Sequence, residues 1–122
     1  MVKTKLKPVV PSLREKKRYL AFEVISNEKI NDFGLVSNAI MHYSLQFLGQ
    51  FGAAKAGIMV LNNKWDARTQ RGIIKVSHRH VDALKASLVF AGKTSNTEAI
   101  FRSLGLSGIL KKAENNYLIK TG

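Results

Sequence analysis

Between residues 18 and 51 the spacing of apolar side chains changes once, and that change limits the possible folds more than any other feature of the chain. Across Arg18 to Ser26 (RYLAFEVIS), Leu20, Phe22 and Val24 alternate with Tyr19, Ala21 and Glu23. This is the period of a strand with one face against a core. From Phe33 onward Val36, Ile40, Tyr43, Phe47 and Phe51 recur at intervals of three and four, which lines them along one side of a helix. Asn31 or Asp32 can cap that helix, and Gly49 and Gly52 weaken its far end. A strand leading through a short loop into a long helix opens an α/β unit.

The remaining segments extend the unit. Gly57 to Leu61 (GIMVL) is wholly apolar and reads as a central strand buried on both faces. A polar loop, Asn62 to Gln70, carries the single tryptophan, Trp65, and leads into a third strand at Gly72 to Ser77 (GIIKVS). The two strands then form a hairpin with a long loop. Ser77 can cap a second helix with Val81, Leu84, Leu88 and Ala91 as its inner stripe, Asp82 in its first turn and Gly92 past its end. Residues 97–105 suit a strand or a helix. The strand is preferred, because a fourth strand after the second helix closes the split βαβ pattern. The fold expected is therefore an α/β sandwich of ferredoxin-like or RNA-recognition-like type, in the order strand-helix-strand-strand-helix-strand. It occupies residues 18–110, between a basic extended arm at 1–17, where Pro8 and Pro11 oppose a helix, and a short basic helix or tail at 111–122.

Charge narrows the partners. The 122 residues hold 20 Lys plus Arg against 8 Asp plus Glu, a formal net charge of +12. Such an excess resists compaction unless a polyanion neutralises it, so nucleic acid is the leading partner and an anionic membrane surface the second. No apolar run approaches the ~20 residues that span a bilayer, and the basic N-terminus lacks the apolar core of a secretory signal. A soluble, cytoplasmic protein is expected. The absence of cysteine excludes disulfides, thiolate zinc sites and a Cys nucleophile.

Catalytic signatures are missing. The eight acidic residues form no pair with recognised catalytic spacing, and neither GxxxxGK[ST] nor GxGxxG occurs. The loop after the first strand, Ser26 to Asn31, also lacks the Arg and Gly of a phosphate-binding enzyme loop. His78 and His80 flank Arg79 with no third ligand nearby, which suits phosphate contact or a solvated helix start better than a metal site. His42, inside the first helix, reads as a packed or half-exposed residue. The basic residues fall in three runs: Arg14, Lys16, Lys17 and Arg18; then Arg68, Arg71, Lys75, His78 and Arg79; then Lys111 and Lys112. These form the candidate RNA-binding set. Arg71-Gly72-Ile73-Ile74-Lys75-Val76 begins like the third-strand motif of an RNA-recognition domain but supplies aliphatics where stacking rings belong. Tyr19 alone makes a thin stacking platform, so contact with the backbone of folded RNA is expected ahead of base stacking. An exposed sheet face, Trp65 and the apolar residues near the C-terminus point to a protein partner as well.

Pro11-Ser12-Leu13-Arg14-Glu15-Lys16-Lys17-Arg18-Tyr19 entering a strand resembles the opening of the archaeal ribonuclease P protein component 2 family, related to the eukaryotic Pop-type subunit of ribonucleases P and MRP. Gly72 to Val76 followed by Val81 to Leu88 resembles that family's third strand and second helix. Gly105 to Ala113 resembles its closing motif, with Ile109 where the family has Thr. The resemblance spans Pro11 to Ala113. It implies the ferredoxin-like fold and a non-catalytic subunit of the endoribonuclease that removes the 5′ leader from precursor tRNA. It also implies three partners: ribonuclease P RNA, precursor tRNA, and the TIM-barrel-like protein component 3 in a two-plus-two heterotetramer. The protein is expected to bind no cofactor, the Mg²⁺ being held by the RNA. The competing reading is a ribosomal or other scaffold for structured RNA, and a more distant one is a small-molecule-binding or phosphate-hydrolysing domain of the same fold.

Overall fold

The computed structural model of the chain describes residues 16–91, 93–94 and 97–118. The elements follow in the order β1 (Lys17–Ser26), α1 (Phe33–Ala56), β2 (Met59–Val60), β3 (Arg71–Ser77), α2 (Val81–Phe90), β4 (Lys93–Thr94), β5 (Thr97–Ser107) and α3 (Leu110–Ala113). All strand pairs are antiparallel, in the sheet order β2-β3-β1-β5-β4. This is the ferredoxin-like arrangement expected from the element order, with β4 added as a two-residue edge strand. The ambiguous segment from residue 97 is a strand. The N-terminal arm and Gly92 lie outside the described residues, apart from Lys16 and Lys17, of which Lys17 already belongs to β1.

One sheet face carries the helices. Leu20, Phe22 and Val24 of β1, Ile74 and Val76 of β3 and Phe101 of β5 meet Val36 and Ile40 of α1 and Leu84 and Leu88 of α2 in a single buried cluster. Asp32 caps α1, its Oδ1 accepting the Gly34 N–H at 2.8 Å. Ser77 caps less directly: its hydroxyl faces the Arg79 N–H, inside a 3-10 turn over His78–His80 that precedes α2. Val81, Leu84, Leu88 and Ala91 are all buried, as their spacing predicts. Gln70 ties two loops together, its side chain bonding both the N–H (3.1 Å) and the C=O (3.0 Å) of Ile30.

Three expectations are corrected. The inner stripe of α1 is Val36, Ala39, Ile40 and Ser44, with Tyr43 and Leu48 packed beside it, whereas Phe47 and Phe51 face outward, Phe51 being 83% exposed. Gly49 is the cause. Its φ of 79° and ψ of 168° break the helical path while the helix continues to Ala56, so the phase read upstream does not carry through. The apolar run at 57–61 yields an edge strand of two residues, not a central one: β1 holds the centre, and Met59 turns its side chain to solvent. A short apolar run cannot reveal its place in a sheet, because strand order is decided by pairing partners far along the chain.

The third correction concerns the outer sheet face. Its middle is covered by α3 and the π-helical turn Glu114–Leu118, so that Ala21, Ile73 and Ala113 have no exposed surface. Tyr117 lies directly on Gly105. The cover is fastened by Arg71 Nη1 donating to the Tyr117 carbonyl at 2.9 Å and by Lys64 pairing with Glu114 at 2.6 Å. Trp65 is likewise not a free surface ring; it stacks on Phe22 with centroids 6.0 Å apart and planes 19° apart.

Candidate nucleic-acid interface

Because β1 runs antiparallel to both β3 and β5, its first residues meet their last. Lys17 is opposite Ser77, Arg18 opposite Val76, and Tyr19 opposite both Lys75 and Ser107. The pairing extends one step beyond the sheet, where the His78 N–H donates to the Lys16 carbonyl at 2.8 Å and the Lys16 N–H lies 3.2 Å from His78 Nδ1. Arg18 reaches across to the turn after β5, where a Cβ on Gly108 would come 3.1 Å from its Nη1. That turn leads straight into α3 with Lys111 and Lys112. The α1 C-terminus arrives at the same end, with Lys55 in its last turn and its cap, Gly57, beside the Lys17 ammonium.

Residues from distant stretches of sequence thus converge on one end of the sheet: Lys16, Lys17, Arg18, Lys75, His78, Arg79, Lys111 and Lys112. Lys16, Lys17, Lys111 and Lys112 are exposed, and none of the four forms an ion pair among the described residues. Of the described acidic residues on the elements here, Asp82 is exposed in the first turn of α2, and Glu114, at the end of α3, is paired with Lys64. Cations left without carboxylate partners are available to phosphate, and each phosphate they neutralise releases condensed counterions.

Arg68 and Arg71 do not join this group. The same register that gathers the others sends them to the opposite end of the sheet, where Arg71 pairs with Glu23. Arg71 Nε lies 3.5 Å from Glu23 Oε2, and Arg102 Nη2 lies 2.7 Å from Glu23 Oε1, so one carboxylate holds two guanidinium groups. Arg68 is largely exposed and stands 3.8 Å from Asp66. Glu23, Asp32 and Asp66 all lie at or beyond this end, and the charge there is close to balanced. Arg14 falls outside the described residues. Among the described residues no group of three His, Cys, Asp or Glu is placed to hold a metal ion. His42 lies on the exposed side of α1 and meets Tyr43 edge-on at 4.9 Å.

The polarity of the molecule escapes a reading along the chain. Lys75 and Arg71 are four residues apart on one strand, yet they belong to opposite ends. Only the pairing register separates them.

The model of the Rpp14/Pop5 family matches residues 18–118. The chain belongs to the Rpp14/Pop5 family. It is 36% identical over 121 residues to ribonuclease P protein component 2 of Thermococcus gammatolerans, covering 99% of this chain and 98% of the relative. With the protein of the same name from Pyrococcus furiosus it shares 37% over 116 residues, 95% of this chain and 94% of the relative. With that of Methanosarcina mazei it shares 35% over 117 residues, 96% and 97% of the two chains. The family resemblance carried by the opening, middle and closing motifs therefore holds, and these relatives favour it over the scaffold reading.

Proposed function

We infer that this chain is a protein subunit of ribonuclease P, the endoribonuclease that removes the 5′ leader from precursor tRNA. It is not the catalytic component. The observation that supports its mode of action is the gathering of Lys16, Lys17, Arg18, Lys75, His78, Arg79, Lys111 and Lys112 at one end of the sheet, away from Glu23, Glu28, Asp32 and Asp66. Pressed against the phosphates of a folded RNA, these side chains lower the repulsion between RNA helices brought close together. The catalytic Mg²⁺ ions belong to the RNA, and the protein reduces the concentration of Mg²⁺ the RNA needs. His78 and Arg79, on the turn before α2, serve as phosphate contacts.

A protein partner fits the opposite layer. Met41, Leu45, Phe47 and Phe51 of α1 and Val89 and Phe90 of α2 are exposed, and Phe47 and Phe90 touch edge to face at 4.7 Å. Exposed apolar surface of this kind marks contact surfaces. Protein component 3, of TIM-barrel-like fold, is the proposed occupant, in a two-plus-two assembly with this chain. No helix among the described residues is long and apolar enough to cross a membrane, and the assembly is proposed to work in the cytoplasm.

The test is the rate of precursor tRNA cleavage by the cognate ribonuclease P RNA at low Mg²⁺, with and without this chain and its barrel-fold partner. A rise of orders of magnitude that disappears when either protein is omitted is expected. No change in rate, with salt-sensitive RNA binding intact, would return the chain to a scaffold role.

A further inference from the structure

Ala21, Ile73 and Gly105 lie in register beneath α3 and Tyr117, and Ala21 and Ile73 are fully buried. One step toward the cationic end, the register sets Met59, Lys75, Tyr19 and Ser107 side by side across β2, β3, β1 and β5. Directly paired residues share a face, so these four form one row. Met59 is 52% exposed, and Tyr19, Lys75 and Ser107 are half-buried.

The row has the composition of a nucleotide subsite. A tyrosine ring offers a π-face on which any base stacks. The Lys75 ammonium beside it matches the phosphate of the same nucleotide, and the polarisable Met59 thioether suits the edge of an aromatic ring. The next row is sealed by Ala113 and Tyr117, and Tyr19 is the single ring in this one, so the strip holds one base and not a run. Bases inside a duplex are stacked on each other and cannot enter it. We propose that Tyr19, flanked by Lys75 and Met59, receives one unpaired nucleobase where the backbone of an RNA helix lies against the cationic end. The subsite rests on the reading of that end as an RNA-binding surface and adds to it a preference for junctions between paired and unpaired RNA.

The experiment titrates the full chain onto two RNA duplexes of one sequence, the first blunt and the second ending in a single unpaired 2-aminopurine. The expected result is about tenfold tighter binding to the second duplex, within the range that base–aromatic stacking supplies, with a change in 2-aminopurine fluorescence on binding. Tyr19→Phe keeps the preference and Tyr19→Ala abolishes it, with circular dichroism melting used to compare their folds. Equal affinity of the unaltered chain for both duplexes overturns the proposal, whether or not Tyr19→Ala folds. So does a loss in Tyr19→Ala that is equal on both duplexes, since the ring would then act only through the fold. Failure to bind either duplex removes the RNA-binding reading itself, and the subsite with it.

Discussion

Gly105 faces Ala21 across β1 and β5, and the Tyr117 ring fills the space that a side chain at 105 needs. An added methyl would collide with the ring carbons, so the cover over the outer face depends on that one missing Cβ. Overpacking of a fitted site costs typically about 1–3 kcal/mol, and Gly105→Ala is expected to destabilise the chain by that amount. Because the obstacle is the ring, the cost should shrink in a Tyr117→Ala background, giving a coupling of at least roughly 0.5 kcal/mol in a double-mutant cycle. Urea unfolding of the four chains measures it, and additive costs would show that the ring and the glycine are not in contact. Glu23 provides a second residue-scale case. It holds both Arg71 and Arg102, with Glu23 and Arg71 each about four-fifths buried by side chain. Glu23→Gln leaves the largely buried Arg71 without its counter-charge and is expected to cost about 1–3 kcal/mol, read in the same unfolding assay.

Within α1 the two halves answer to different rules. Ile40 is 1% exposed in the core, so Ile40→Ala should cost about 2–5 kcal/mol. Phe51 is 83% exposed beyond the Gly49 break, so Phe51→Ser should leave stability within about 0.5 kcal/mol. A continuous amphipathic helix from Phe33 to Phe51 demands a large cost for both, and thermal unfolding of the two variants decides between the pictures. The contrast also explains what the sequence could disclose. Periodicity is a local property, and it correctly located β1, β3, α2 and the first half of α1, where nothing interrupts the backbone path. It could not foresee that Gly49 would turn Phe51 away, since a glycine that weakens a helix and one that re-aims it look alike. Nor could it place β2 at the edge or Trp65 on Phe22, because both follow from contacts between residues distant in sequence. The candidate interface was legible as a list of cations but not as a surface. Lys16 to Arg18, Lys75 to Arg79 and Lys111 to Lys112 converge because antiparallel pairing joins the start of one strand to the ends of two others.

At the scale of the molecule that convergence makes the charge lopsided. Lys16, Lys17, Lys111 and Lys112, which form no ion pair among the described residues, gather where β1 begins, while Glu23 and Asp66 answer Arg68, Arg71 and Arg102 where it ends. A net charge of +12 spread evenly would bind a polyanion from any side, and neutralising a few cations anywhere would weaken binding to a similar degree. A polar distribution makes a different statement. If the first end carries the phosphates, each cation in contact contributes roughly 0.9 to the slope of log affinity against log salt for a duplex. Replacing Lys16, Lys17, Lys111 and Lys112 together with Gln should therefore flatten that slope by as much as about 3–4 units, the upper figure requiring every ammonium to meet a phosphate. Replacing Lys29 and Arg68, exposed cations of the other end, should leave the slope where it was. Because screening acts on contacts and not on total charge, comparing slopes removes the general loss of attraction that any drop in net charge brings. Filter binding or anisotropy on a structured RNA across a range of salt concentrations gives both slopes. Equal flattening in the two variants would mean that RNA approaches without regard to the polarity, and the gathered cations would then be a solvated end and not an interface.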